Sequence, residues 1–259
     1  MNQIINDDCI NILKTMNSGV VDLVITSPPY DNLRTYNDSL EWNFEIFKGI
    51  ADELTRVLCV GGVIVWVVSD ATLNGSETGS SFKQALYFME KGLNLHDTMI
   101  WVKDGGGAVG SNNCYTQNFE YMFVLSKGTP KTINLIKDKV NKSYGVDKSG
   151  VGRRNADGEH KIEQRKEANP YSKRNNWWYI PPQRSDFHPA VFPDSLAHDH
   201  IITWSNKGDL VLDCFSGSGT VPLMCEKLGR NYIGIEKDKE YFEKSLKRLK
   251  AEKVKKRLI

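Results

Sequence analysis

The sequence predicts a doubly wound α/β fold, a mostly parallel sheet with helices on both faces, interrupted by one inserted region. Three observations predict it. Short runs rich in β-branched residues alternate with segments of helical period. The runs are apolar throughout rather than at every second residue, as strands buried on both faces require. The alternation stops near Lys127 and resumes near Pro193, which implies one sheet split by an insertion. A chain of 259 residues is long enough for such a sheet and a smaller module. The expected division is 1–127, 128–186 and 187–259.

The elements follow in order. INILKTM near the start reads as a helix with Asp8 as a candidate cap. VVDLVIT (20–26) and GGVIVWVVS (61–69) read as strands, and WNFEIFKGIADELTRVL between them has helical periodicity ending before Gly61 and Gly62. A second helix is expected over 81–91, then strands at LHDTMIWVK and FEYMFVLSK joined by the glycine-rich DGGGAVGSNN loop. From Lys127 the pattern breaks into Gly, Asn, Lys and Arg, with only NNWWYI resembling packed structure; Trp177 and Trp178 are expected to form the small module's core. A helix over 193–205, the strand DLVLDCF, a helix after Gly219, the strand YIGIEK and a charged terminal helix from Asp238 complete the chain.

Charge is segregated. Residues 127–186 carry fourteen Lys and Arg against seven Asp and Glu, a net +7, so the remainder carries −5 of the overall +2. A basic module facing a polyanion fits this distribution better than a merely solvated insertion. The five cysteines (Cys9, Cys59, Cys114, Cys214, Cys225) form no C-x-x-C pair, which argues against a disulfide framework and a thiolate zinc site. His198 and His200, spaced i, i+2, would point apart on a helix, and no metal is expected. The start lacks a secretory pattern and no apolar run approaches a membrane span, so a cytoplasmic protein without a membrane partner is expected.

Two loops carry candidate chemistry. DLVLDCFSGSGT places an acid at a strand end, then a Gly-x-Gly turn opening a helix, where glycines let backbone approach a ligand closely. Glu236 ends the next strand, 19 residues past Gly217, where an acid receives two ribose hydroxyls. Pro222 stands where the dinucleotide fingerprint has its third glycine, which disfavours a pyrophosphate. Asp213 suits an ammonium instead, and S-adenosylmethionine combines that ammonium with a ribose and an adenine. TSPPY (26–30) is expected at another strand end on the same sheet edge. Its prolines fix φ and hold the preceding residues extended, giving a rigid array of acceptors beside an aromatic face. Ser27 Oγ and the Pro28 carbonyl can accept from a planar amine while Pro29 stiffens the corner and Tyr30 stacks on the ring.

With these residues in view, TSPPY and FSGSGT resemble the amino-methylating DNA methyltransferases, which modify cytosine N4 or adenine N6. NDDC, WVVSD, MIWVK, FEYMFVLSK, HPAVFP and GRNYIGIEKDKEY look like the family's ordered blocks, so the resemblance covers nearly the whole chain. The tetrapeptide precedes the cofactor loop, the arrangement called the β class. The resemblance implies a seven-stranded, Rossmann-like class I methyltransferase sheet, with a catalytic part over 1–127, a target-recognition region in the insertion at 128–186 and an S-adenosylmethionine-binding part over 187–259. It implies that Asp8 meets the adenine amino group, Glu236 the ribose, and Asp213, Phe215, Gly217 and Gly219 the methionine part, with Pro28 near the methyl and Phe192 and Pro193 closing the site. Members acting on adenine usually carry Asp or Asn at the position of Ser27, those acting on cytosine N4 usually Ser, which makes cytosine N4 the expected target.

The expected reaction is direct in-line transfer to an amine of a base flipped out of duplex DNA. Ring-carbon methylation of cytosine would need a thiolate nucleophile, which the family doing so carries after a proline, and none of the five cysteines here follows one. Arg34 in the loop past the tetrapeptide and Arg153, Arg154, Arg165, Lys166, Lys173 and Arg174 in the insertion are the expected DNA contacts. Three alternatives stay open: adenine N6 of DNA as target, a modifier of RNA or of a protein amide, and a catalytically silent DNA-binding subunit. A restriction-modification system or a phage is the expected setting, with a cognate endonuclease a candidate partner in the former.

Overall fold

The computed structural model describes residues 2–29, 42–103, 115–142, 144–145, 153–154, 160–161, 168–183 and 192–257, with backbone alone at 153–154, 160–161 and 255–257. It divides into two compact units, one of residues 1–134 with 176–259 and one of Leu135–Asn175.

The larger unit begins with β1 (Gln3–Asn6), α1 (Cys9–Thr15), β2 (Val21–Thr26), α2 (Phe44–Val57) and β3 (Leu58–Val68). A small hairpin of β4 (Thr72–Leu73) and β5 (Ser76–Glu77) leads to α3 (Ser80–Glu90), β6 (Asn94–Val102) and β7 (Phe119–Ser126). The smaller unit holds β8 (Lys139–Val140), β9 (Arg153–Arg154), β10 (His160–Lys161) and β11 (Tyr171–Ser172), paired antiparallel as β8 with β11 and β9 with β10. The chain returns to the larger unit at β12 (Trp177–Tyr179), followed by α4 (Asp194–Trp204), β13 (Leu210–Asp213), α5 (Thr220–Leu228), β14 (Asn231–Glu236) and α6 (Lys239–Arg257).

One eight-stranded sheet runs through the larger unit in the order β1-β14-β13-β2-β3-β7-β6-β12. It is parallel except at β7, which lies antiparallel to both β3 and β6. FEYMFVLS is apolar enough to be buried on both faces, a property blind to strand direction, so the expectation of a parallel strand here is corrected. The expected seven strands are joined by β12 at the edge, pairing Trp177, Trp178 and Tyr179 with Ile100, Trp101 and Val102. This corrects the placing of the tryptophans in the small module: Trp178 is buried and stacks on the His200 ring at 4.6 Å, while Trp177 is exposed.

Local chemistry fixes the helices. The Asp8 side chain accepts from Ile10 N at 3.0 Å and caps α1; Asn43 accepts from Ile46 N and caps α2. Phe47, Ile50, Ala51, Leu54 and Val57 form the buried stripe of α2, and its end leads directly into β3. Trp66 at the middle of β3 is fully buried between the Phe47 and Phe88 rings, and Gln84 Oε1 accepts from its Nε1 at 2.7 Å. That bond satisfies the one polar atom of the largest core side chain.

Sheet order reverses between β13 and β2. From β13 the chain crosses by α5 to β14 on one side; from β2 it crosses by α2 to β3 on the other. Such a switch point opens a crevice at the carboxyl ends of the strands, and these ends are Asp213 and Thr26.

Candidate active site

Thr26 and Asp213, both buried, meet at the crevice: Thr26 Oγ1 donates to Asp213 Oδ1 at 2.8 Å. The Phe215 amide donates to the same oxygen at 3.2 Å. Burial nonetheless pushes the Asp213 carboxyl up to about 7; the two hydrogen bonds oppose the rise and the charge of Glu236 adds to it. Ser27 follows Thr26 half-buried, then Pro28 and Pro29, both buried. The rigid proline corner and the glycine turn therefore start from two hydrogen-bonded residues on adjacent strands.

The turn after β13 is held from beneath. Ser216 N donates to the Ile235 carbonyl at 2.9 Å and Gly219 N to the Ser216 carbonyl at 2.7 Å. Gly217 and Gly219 have φ of 47° and 74°, in the left-handed region, and Gly219 caps α5. A Cβ on Gly219 would lie 2.9 Å from Ser245 Cβ of α6, so that position excludes side chains twice over. Glu236, buried at the end of β14, accepts from Gly217 N at 2.7 Å through Oε2 and from Asp238 N at 2.8 Å through Oε1. Burial raises its pKa, opposed by those amides.

Around this centre, Asp8 caps α1 and also pairs with Lys237 Nζ at 3.1 Å. Asn6 Nδ2 bonds the Glu236 and Lys237 carbonyls, tying β1 to the loop after β14. Phe215 packs edge-on against Trp42 at 5.6 Å and Trp66 at 6.4 Å, which makes its ring part of the core wall. Phe192 lies 6.4 Å from the Trp101 ring, and Pro193 precedes α4.

Other sequence candidates fall elsewhere. Tyr30, Arg34, Arg165 and Lys166 lie outside the described residues, as do the side chains of Arg153 and Arg154 and the whole of Cys114. Lys173 and Arg174 belong to the smaller unit, where Arg174 pairs with Asp138 through Nε at 2.9 Å and holds that carboxyl below its usual range. His198 pairs with Asp199 at 2.8 Å, and among the described residues no group of His, Cys, Asp and Glu is placed to hold a metal. Burial pushes the thiols of Cys9 (to about 12), Cys214 and Cys225 upward, as for inert core cysteines. Among the described residues no helix is long and apolar enough to cross a membrane. Sequence reasoning missed Arg248, which bonds the glycine turn from α6.

Two buried carboxylates, with amides on one side and a narrow glycine turn on the other, suit a ligand bringing an ammonium and hydroxyl donors. An anionic pyrophosphate would oppose ionisation of both acids, whereas an ammonium favours it. S-adenosylmethionine passes this test of charge and donor set.

The doubly wound sheet and the acid-flanked turn at its switch point define a class I S-adenosylmethionine-dependent methyltransferase. A family model described as DNA methylase, of the N6/N4 type, matches residues 21–247, and the chain belongs to that family of amino-methylating enzymes. The orphan methyltransferase M.BamHII of Bacillus amyloliquefaciens is 51% identical over 243 residues, covering 89% of each chain. The type II methyltransferase M.HpaI of Haemophilus parainfluenzae is 28% identical over 262 residues, 96% of this chain and 74% of its own length. Among solved structures, the M1.HpyAVI–SAM complex matches with a TM-score of 0.63 at 26% identity, covering 96% of this chain and 100% of that one. The cytosine-N4-specific PvuII DNA methyltransferase shares the fold, with a TM-score of 0.70 at 20% identity over 95% of this chain and 85% of its own.

Proposed function

We propose that this methyltransferase modifies the exocyclic N4 of cytosine in duplex DNA, at a specific sequence, after flipping the base out of the helix. The observation that supports transfer to an amine is the Thr26–Asp213 hydrogen bond, which joins the two strand ends from which the proline corner and the glycine turn start; the choice of cytosine rests on Ser27. S-adenosylmethionine supplies an electrophilic methyl group on a sulfonium. Glu236 would accept from the ribose hydroxyls with its free lone pairs, and Asp213 would face the ammonium. Phe215, Gly217 and Gly219 would line the methionine part, Asp8 the adenine, and Pro28 the methyl.

The work of the proline corner is on the acceptor. An amine conjugated to a pyrimidine is a weak nucleophile because its lone pair is delocalised into the ring. Ser27 Oγ and the Pro28 carbonyl accept its two N–H bonds, favouring a pyramidal nitrogen with the lone pair freed. Pro29 keeps those acceptors from relaxing, and Tyr30 stacks on the base. The nitrogen–methyl bond forms as the methyl–sulfur bond breaks, leaving neutral S-adenosylhomocysteine, and the methylated amine then gives up one N–H proton to solvent; catalysis is positioning and charge stabilisation, with no covalent enzyme intermediate. Ser27, rather than an acid or amide, is what favours cytosine over adenine N6.

Recognition is assigned to the basic region 128–186, with Arg153, Arg154, Arg165, Lys166, Lys173 and Arg174, aided by Arg34, reaching phosphates and base edges. Arg174 would exchange Asp138 for a phosphate. A companion endonuclease belongs to this reading only as context: M.HpaI is a type II enzyme, M.BamHII an orphan.

The test is transfer of labelled methyl from S-adenosylmethionine to duplex DNA, followed by digestion to nucleosides. N4-methylcytosine is the expected product. N6-methyladenine would overturn the base assignment, and absence of transfer to any duplex would overturn the activity.

A further inference from the structure

Arg248, on α6, reaches two parts of the site at once. Its Nη1 donates to Thr220 Oγ1 at 2.9 Å and to the Ser218 carbonyl at 3.3 Å, and its Nη2 donates to Asp194 Oδ1 at 2.6 Å. Ser218 and Thr220 flank Gly219, and Asp194 opens α4 immediately after Phe192 and Pro193. Three residues earlier, on the same face of α6, Ser245 is fully buried against the spot a Gly219 side chain would occupy. Steric contact and charged hydrogen bonds thus press on one turn from one helix.

The arrangement is a poor way to stabilise helices. Helix N-termini carry partial positive charge and favour anions, yet Arg248 brings a cation to the N-terminus of α5. Nor is it the sole anchor of α6, since Tyr241 and Leu249 are buried on the same helix. A planar guanidinium can span both targets in a fixed geometry, which a single ammonium cannot.

We infer that Arg248 is a positioning residue for cofactor binding. It holds Ser218 to Thr220 against the start of α4, so that Gly217 N–H and the Glu236 carboxylate keep the spacing seen here. The inference rests on the assignment of this turn to S-adenosylmethionine.

Calorimetric titration of S-adenosylmethionine into the wild type and into Arg248→Ala, Arg248→Lys and Glu236→Ala tests it, alongside thermal unfolding and duplex-DNA affinity. Arg248→Ala should weaken cofactor binding roughly tenfold or more, the scale of lost charged hydrogen bonds, with DNA affinity unchanged. Arg248→Lys should fall between, and low millimolar guanidinium ion should restore part of the loss in Arg248→Ala. Unchanged cofactor affinity in Arg248→Ala while Glu236→Ala loses binding would overturn this inference alone. Unchanged affinity in both variants would overturn the assignment of the turn as well. Parallel losses of cofactor affinity, DNA affinity and melting temperature, without rescue, would reduce Arg248 to a packing residue and overturn the inference.

Discussion

Thr26 Oγ1 and Asp213 Oδ1 lie 2.8 Å apart although 187 residues separate them in sequence. The bond is buried, and it is one of two that the Asp213 carboxyl receives at Oδ1. Replacing Thr26 by Val keeps the shape and removes the donor. We expect a loss of about 1–3 kcal/mol in unfolding free energy by urea denaturation. Single-turnover methyl transfer should slow more than cofactor binding weakens, because Ser27 is the next residue.

The Asp213 carboxyl titrates at about 7 in the folded protein against an ordinary 3.8. Its protonated form therefore favours folding: that contribution is complete below the ordinary value and is lost as pH rises through about 7. The loss is on the order of 4 kcal/mol, with Glu236 shifted in the same direction. The wild type without ligand should show its urea midpoint falling as pH rises through about 7, and Asp213→Asn should flatten that slope.

A cationic ligand reverses the preference by recharging Asp213. Binding of S-adenosylmethionine below pH about 7 should release protons, seen as a dependence of the calorimetric heat on buffer ionisation enthalpy. Asp213→Asn should reduce the release, leaving only what Glu236 contributes, and weaken binding.

Ser27→Ala should bind S-adenosylmethionine like the wild type and lose turnover on the order of 100-fold, the scale of one removed catalytic hydrogen bond. Equilibrium titration and rapid quench measure the two separately. Loss of cofactor affinity instead would assign Ser27 to the wrong ligand.

Gly219 and Gly229 share nearly the same φ, 74° and 72°, but differ in surroundings. A Cβ would meet Ser245 at 2.9 Å in the first case and only Lys207 Cγ at 3.9 Å in the second. Gly229→Ala should cost about 1–2 kcal/mol from backbone conformation alone. Gly219→Ala should add about 1–3 kcal/mol of overpacking and lose cofactor affinity as well. Comparing the two denaturation midpoints isolates the steric part.

Much of the fold was legible because buried strands announce themselves: VDLVIT and IVWVV are long β-branched runs with no competing period. The glycine turn and the proline corner were legible because few residues can serve there. β1 was not, since its four residues QIIN include only one that is buried. β12 misled for a related reason. Only Trp178 of Trp177–Tyr179 is buried, and polar neighbours assigned the segment to the insertion. Asp8 carried two readings in sequence; the structure gives it the cap, and that role leaves a ligand contact free to be tested. Arg248 was invisible because it sits among the lysines and arginines of α6, where only tertiary contact distinguishes one cation from its neighbours.

The junctions of the small unit have their own significance. Asn134 N bonds the Thr203 carbonyl, and the Asn176 carbonyl receives Ile100 N, so the larger unit itself grips the chain where it departs and where it comes back. Whatever runs between those two clasps can be exchanged without cutting any strand of the eight-stranded sheet. On the proposed assignment of recognition to the basic region, a lineage built on this plan can change what it reads while its chemistry is inherited intact.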